Sequence, residues 1–189
     1  MVVHERYNPR QPRLLLNNNI ALVSIQERFP ASITDYVTIR CASNSPETSE
    51  REREPLYVAG WGWIKDESGQ LTVKLRQIEL PYAGDRCAPF YEKISKTVNG
   101  SLSFCAGDLD RGAAGICRGD EGGAAVKRVS LTGNVANSKN FRSVITGIAS
   151  YVDSCGKPKL ISLFTRVSAF SAWIRAVIGK TSSGPNCSL

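Results

Sequence analysis

The sequence predicts an all-β fold, built mainly from antiparallel strands and ending in one helix. Short apolar or alternating runs, rich in β-branched residues, recur between segments of Gly, Pro, Asn and Asp, a pattern typical of strands in a barrel or sandwich. The chain of 189 residues is long enough for a substantial core in one domain or in two small ones. The predicted strands are residues 20–23, 56–59, 73–80, 124–129, 144–151 and 161–167.

The helix is predicted close to the C-terminus, over residues 168–179. Its apolar side chains recur at the i, i+3, i+4, i+7, i+8 spacing of a single helix face. The residues of that face are Phe170, Trp173, Ile174, Val177 and Ile178. A polar stretch at residues 43–54 contains one proline and is predicted to be a linker between two structural units.

The formal net charge of +7 does not by itself indicate a nucleic-acid partner. Lys and Arg are spread along the chain, and between residues 50 and 54 Arg alternates with Glu, which is typical of a solvated surface. No run approaches the roughly 20 apolar residues of a membrane span. We therefore expect neither nucleic acid nor a membrane as a partner.

The six cysteines include no CxxC pair, which favours disulfides over a zinc site and an oxidising, extracellular location. Two sequons, which begin at Asn99 and Asn186, are glycosylation candidates. The first ten residues lack the apolar core of a secretory signal. We therefore expect a signal and a further segment of chain upstream of Met1.

Five short motifs occur in one order along almost the whole chain. They are Asn19–Leu22, Val58–Gly62, Phe104–Gly107, Cys117–Gly123, and Thr165–Phe170 followed by Trp173-Ile174. Together they resemble the trypsin and chymotrypsin family of serine proteases. The resemblance implies a chymotrypsin-like double β-barrel, with the active site in the cleft between the barrels and a C-terminal helix.

The resemblance also divides the chain into segments. Residues 1–40 would be the last strands of a partial first barrel, and residues 41–55 the linker. Residues 56–167 would form a complete second barrel, followed by the helix at 168–179. That helix normally packs on the first barrel, which is expected to be only partial here. We therefore expect Phe170 or Trp173 to be partly uncovered, and apolar surface to be exposed near the N-terminal strands.

Family members hydrolyse peptides with a serine, a histidine and an aspartate held in one hydrogen-bonded chain. The resemblance puts Asn19 at the aspartate position and Glu121 at the serine position, whereas the histidine position falls ahead of Met1. The N–H groups of Gly119 and Glu121 would form the oxyanion hole, which we expect the Glu121 side chain to occupy or obstruct. Asp120 matches the aspartate that pairs with the N-terminus freed by activation. These degenerate triad positions are expected to be inactive.

The specificity pocket implied by the resemblance has no charged residue among its matched positions. Gly115 matches the base of the pocket, and Val152 and Ser162 match its walls. Val152 would narrow the mouth, so that only small side chains could enter. Ser150 and Tyr151 match the segment that lies along the substrate backbone.

The family pattern selects two of the disulfides, Cys87–Cys105 and Cys117–Cys155. Cys41 is then left either for Cys187 or for a cysteine in chain upstream.

The single histidine of the chain, His4, matches a surface strand of the family and not the catalytic histidine. One histidine together with disulfide-bonded cysteines cannot assemble a metal site. We expect no metal and no cofactor.

Three functions are compatible with these residues. The first is a non-catalytic protease homologue that binds a protein partner as a decoy, a mask or a cofactor in a proteolytic cascade. The second is a serine-type endopeptidase that prefers small apolar residues. The third is a degenerate gene fragment without function.

Overall fold

The computed structural model describes residues 1–10, 17–32, 37–39, 55–64, 71–84, 86–93, 96–107, 115–130, 141–152, 155 and 161–179. Most of them belong to β-strands. The strands are β1 (Val2–Val3), β2 (Ala21–Leu22), β3 (Thr38–Ile39), β4 (Leu56–Gly60), β5 (Arg76–Leu80), β6 (Tyr82–Gly84), β7 (Ser103–Ala106), β8 (Ala124–Ser130), β9 (Phe141–Tyr151) and β10 (Ser162–Arg166). The helices are α1 (Cys87–Glu92), a 3₁₀ turn (Val167–Phe170) and α2 (Ser171–Gly179).

The larger sheet has eight strands, of which seven follow the order β5-β4-β8-β9-β10-β7-β6 and β3 pairs with β9. Its two ends, β5 and β6, are consecutive in sequence and separated only by Pro81, whose carbonyl accepts a hydrogen bond from Gly107 N–H at 2.9 Å. Because β5 and β6 follow each other in the chain but stand at opposite ends of this strand order, the two ends of the sheet lie next to each other. The sheet is therefore a nearly closed, mainly antiparallel barrel, as the sequence predicts.

The six predicted strands are all present, with bounds that differ by one to three residues at most ends. Shorter elements were not predicted: β1, β3, β6, β7 and α1. The predicted linker at 43–54 lies outside the described residues.

The sequence predicts that residues 1–40 belong to the first barrel, but β3 does not follow this prediction. This strand runs parallel to β9, with Thr38 opposite Val144 and Ile39 opposite Ile145, and so belongs to the larger sheet. Ile39 also packs against the apolar cluster below the C-terminal helix. The segment before the linker therefore contributes to both sheets.

The core of the barrel follows from the two-residue period of its strands. In β4, Leu56 and Val58 are buried, whereas Tyr57 between them is half-buried and Ala59 is exposed. Gly147 of β9 lies beside the stacked rings of Phe104 and Phe164, whose centroids are 5.5 Å apart. A Cβ on Gly147 would come within 2.5 Å of Phe104 Cζ, so this strand position accepts only glycine without rearrangement.

A second cluster joins the N-terminal sheet to the C-terminal helical segment. Ile20 packs with Val167, Phe170 and Ile174, all of them buried, and Trp173 packs against this cluster. The helical segment begins as the 3₁₀ turn one residue before the predicted start and continues as α2 to the predicted end.

The expected exposed apolar surface lies on the N-terminal segment. Its exposed side chains are Met1, Val2, Val3, Val23, Ile25 and Phe29. In the part of the chain that is described, no helix is long and apolar enough to cross a membrane.

Candidate functional site

A tight turn between Cys117 and Gly123 carries the candidate site. Gly119 and Gly122 have φ angles of +93° and +88°, which L side chains rarely adopt. Gly122 N–H donates to Ala149 O, and Ala149 N–H donates to Gly123 O, both at 2.8 Å. The turn is thus fastened to the C-terminal end of β9.

The side chain of Glu121 folds back over this turn. Its Oε2 accepts a hydrogen bond from Gly119 N–H at 2.7 Å. A charged acceptor at this distance forms one of the stronger hydrogen bonds available to a backbone N–H. Glu121 is an exposed residue, and its carboxylate accepts the Gly119 N–H. That N–H is therefore not free to bind an anion from outside.

Asn19 reaches the same end of β9 from the N-terminal sheet. Its Nδ2 donates to Ser150 Oγ at 3.0 Å, and its backbone oxygen accepts a hydrogen bond from Thr165 Oγ1 at 2.9 Å. Because Ser150 follows Ala149 directly, the Asn19 side chain and the turn that bears Glu121 are attached to neighbouring residues of one strand. The structure thus brings these two sequence-predicted positions together.

Asp120 is held by two backbone groups. Gly62 N–H donates to Oδ1 at 2.8 Å, and Cys117 N–H donates to Oδ2 at 2.9 Å. The carboxylate lies against Gly60 and Gly62, where an added Cβ would overlap it. The close approach of Asp120 therefore requires glycine at Gly60, the last residue of β4, and at Gly62. The half-buried carboxylate has the Gly62 and Cys117 N–H groups as hydrogen-bond partners.

A cavity of about 400 Å³ lies beside Asp120. Its walls include Val58, Ile78 and Ile116 from the barrel, together with Arg76 and Gly115. It combines an apolar wall with a carboxylate and a cationic side chain. The sequence did not indicate this cavity, because its walls come from segments far apart in the chain.

Two of the predicted specificity residues are neighbours. A Cβ on Gly115 would lie 3.8 Å from Ser162 Oγ. Val152 and Ser162 are buried, Val152 within the main core cluster, and neither is among the residues that line the cavity beside Asp120. Of the predicted substrate-backbone pair, Ser150 is buried and Tyr151 half-buried.

Leu71 was not singled out from the sequence, yet it borders the turn. Its Cδ2 lies 3.1 Å from the place where a Cβ of Gly119 would be. Leu71 pairs with Trp63 across a short bridge, and Trp63 N–H donates to Arg118 O at 2.9 Å. An isolated leucine in a loop carries no sequence signal for this contact.

The disulfide between Cys117 and Cys155 is present, as the family pattern implies. It anchors the start of the turn and closes a separation of 38 residues. Cys105 is also disulfide-bonded. The Cys87 side chain, Cys41 and Cys187 lie outside the described residues, so the pairs that involve them stay predictions.

His4 lies in the apolar cluster beside the helix. Its ring centroid is 5.3 Å from that of Phe170 and 4.9 Å from that of Trp173. Its Nδ1 accepts a hydrogen bond from Arg6 N–H at 3.2 Å. Next to it, the backbone N–H of Glu5, and to a lesser extent His4 and the Trp173 indole, lower the pKa of the Glu5 carboxyl. His4 is thus a buried packing residue.

Comparison with known proteins places this chain in a family. The family model described as Trypsin matches residues 1–174, so the chain belongs to the trypsin family. A CLIP domain-containing serine protease, HP8, of Bombyx mori is 32% identical over 92% of this chain and 44% of its own length.

Other relatives have similar coverage. Trypsin eta of Drosophila erecta is 29% identical over 92% of this chain and 58% of its own length. Complement factor I of Rattus norvegicus is 27% identical over 95% of this chain and 27% of its own length. The chain thus spans between 27% and 58% of the lengths of these three relatives.

Proposed function

We propose that this chain is a non-catalytic member of the trypsin family that acts by binding a protein partner. It would serve as a decoy, a mask or a cofactor in a proteolytic cascade outside the cell. One observation carries the proposal: the side chain at the nucleophile position is the carboxylate of Glu121, and it accepts the N–H of Gly119 at 2.7 Å.

This contact opposes peptide hydrolysis in two ways. Acyl transfer requires backbone N–H groups that are free to receive the negative charge of the tetrahedral intermediate. With Glu121 on the Gly119 N–H, an anion already occupies the place where that charge would develop. In addition, attack by a carboxylate on a peptide carbonyl would have to form an anhydride and expel an amine, and a carboxylate is a poor nucleophile for that step.

Asn19 weakens the same reaction from the other side. The family's aspartate holds the catalytic histidine in the correct tautomer and stabilises its charged form. An amide that donates to Ser150 Oγ cannot stabilise an imidazolium. In a well-studied serine protease, the aspartate-to-asparagine change lowers kcat by about 10⁴.

Asp120 takes a structural role under this proposal. At its matched position, the family's aspartate pairs with the N-terminus that activation releases. Here both carboxylate oxygens hold backbone N–H groups, those of Gly62 and Cys117. We therefore assign Asp120 to holding the turn and its neighbouring loop in place.

Exposed apolar side chains next to the turn support binding of a protein. Val73 is 95% exposed, and Trp61 and Leu71 are both more than half exposed. Thr72 N–H donates to Trp61 O at 3.2 Å, which joins the two segments, and Leu71 Cδ2 lies 3.1 Å from the place where a Cβ of Gly119 would be. Contiguous exposed apolar surface is typical of protein interfaces. The Cys117–Cys155 disulfide agrees with an extracellular partner.

The catalytic half of the proposal is tested with the purified protein and its Glu121→Gln variant. Both are treated with a fluorophosphonate probe and with fluorogenic peptides that include small apolar residues. We expect no labelling and no cleavage by either protein. Fluorophosphonate labelling of this chain, or cleavage that the glutamine variant abolishes, would favour the endopeptidase.

The binding half is tested by placing a photo-crosslinking residue at Val73 and, as a matched control, at exposed Glu92 of α1. A partner crosslinked only from Val73 is then purified and its affinity measured. The double variant Leu71→Asp, Val73→Asp should weaken binding at least tenfold. Equal crosslinking from both positions, or an affinity that the double variant leaves unchanged, would contradict the proposed surface.

A further inference from the structure

Asn99 lies at an exposed turn that the candidate site does not use. The turn precedes β7, and β7 pairs with β6 and β10. The turn that bears Glu121 is instead fastened to β9 and to the loop after β4. A modification of Asn99 would therefore be attached at a different turn from the one that the proposed function uses.

The geometry of this turn presents the side-chain amide to solvent. Asn99 Oδ1 accepts a hydrogen bond from Ser101 N–H at 3.0 Å, and Asn99 O accepts hydrogen bonds from the N–H groups of Leu102 and Ser103 at 2.9 Å each. The bond to Oδ1 fixes the carbonyl side of the side-chain amide, as in an Asx turn, and the other two bonds fix the backbone of the turn. Among the described residues, none forms a hydrogen bond with the nitrogen Nδ2, and Asn99, Gly100 and Ser101 are all exposed.

The space around the turn is open. A Cβ on Gly100 would have no heavy atom within 4 Å. Together with the exposure of Asn99, this leaves room among the described residues for a bulky group at the turn. Asn99, Gly100 and Ser101 also form the Asn-X-Ser acceptor pattern with a residue other than proline between its ends.

We propose that Asn99 carries an N-linked glycan in the secreted protein. The reaction forms a bond between Asn99 Nδ2 and C1 of the first sugar of a lipid-diphosphate-linked oligosaccharide. The bond from C1 to the diphosphate oxygen breaks, the lipid diphosphate leaves, and Nδ2 loses one proton. The Cys117–Cys155 disulfide supports passage through the oxidising compartment where this donor is found.

An unmodified Asn99 has a competing chemical fate. The backbone nitrogen of Gly100 can attack Asn99 Cγ and expel ammonia, and the resulting ring opens to aspartate or isoaspartate. Glycine favours this attack because it has no side chain to hinder the approach. Water opens the ring by hydrolysis. A glycan on Nδ2 would block the loss of ammonia, so only chains without the glycan can form the ring and its isoaspartate product.

The test is translation of the full chain behind a cleavable secretion leader in the presence of endoplasmic-reticulum microsomes. Only protease-protected chains are scored, so the result does not depend on how efficiently the protein is secreted. Protected chains are digested with peptide-N-glycosidase in water enriched in heavy oxygen, and the peptide that contains Asn99 is sequenced by mass spectrometry. We expect aspartate with a heavy-oxygen label at position 99, and no such label in a parallel sample kept in the same water without the glycosidase, where only deamidation can introduce heavy oxygen.

Four variants act as controls. Asn99→Gln and Ser101→Ala should both lose the glycan at this turn, although Ser101→Ala keeps the acceptor amide. Ser101→Thr should retain it, because both hydroxyl residues complete the pattern. In Asn186→Gln, which alters the second sequon outside the described residues, position 99 should still be labelled. Protected wild-type chains with Asn99 unmodified, or converted to unlabelled aspartate or isoaspartate, would overturn the proposal.

Discussion

Replacing Asp120 with alanine should destabilise the protein strongly, because its carboxylate supports two separate segments. The change removes the acceptors for Gly62 N–H at 2.8 Å and Cys117 N–H at 2.9 Å. A hydrogen bond to a charged group contributes about 1.5–3 kcal/mol, so the pair contributes about 3–6 kcal/mol before solvent compensates. Since Asp120 is only half-buried, water can replace part of these hydrogen bonds in the variant. We expect the free energy of unfolding to fall by about 3 kcal/mol.

The measurement is urea unfolding followed by tryptophan fluorescence, with calorimetry in parallel. For a chain of this length, a loss of about 3 kcal/mol lowers Tm by about 6–12 °C. Asp120→Asn keeps one acceptor oxygen and should lose about half as much. Glu92→Ala, at an exposed position of α1, should change the free energy of unfolding by less than about 0.5 kcal/mol. Equal stability of Asp120→Ala and Asp120→Asn would refute the reasoning, as would a loss below about 0.5 kcal/mol for the alanine variant.

Two further predictions concern covalent and electrostatic contacts. Replacing Cys117 and Cys155 together with serine removes a crosslink across 38 residues and should reduce the free energy of unfolding by about 4 kcal/mol in the chain-entropy model, measured in urea. In an NMR titration, the pKa of the Glu5 carboxyl should lie below its usual value of 4.5. The contribution of this carboxylate to stability is therefore present above the unfolded-state pKa and is lost as the pH falls through the folded-state pKa. Trp173→Phe should move this titration upward, whereas an unchanged titration would contradict a contribution from the indole.

The longer strands could be predicted from the sequence because each contains enough residues to display its period. Residues 124–129 and 144–151, for example, correspond to β8 and β9. The two-residue strands β1 and β3 have no measurable alternation, and α1 has fewer than two helical turns. For such elements, the tertiary contacts and not the local pattern select the conformation.

Residues of the site differ in the same way. Glu121 and Asn19 were predicted as site residues because their motifs resemble the family in order and spacing. The approach of Leu71 to the turn at Gly119 could not be predicted, because no motif connects these two residues. Pairing β3 with the larger sheet likewise depends on where β9 lies in space.

The sequence alone indicated which family the chain belongs to and where the long strands run, and it predicts that Glu121 and Asn19 stand at the family's nucleophile and aspartate positions. The tertiary structure decided what those groups bind: Glu121 the Gly119 N–H, Asn19 the hydroxyl of Ser150, and Asp120 the Gly62 N–H. The physical reason is the distance along the chain over which each kind of information acts. Periodicity and motifs record local burial and backbone demands, whereas Asn19 and Ser150 are 131 residues apart and meet only once the sheets have packed.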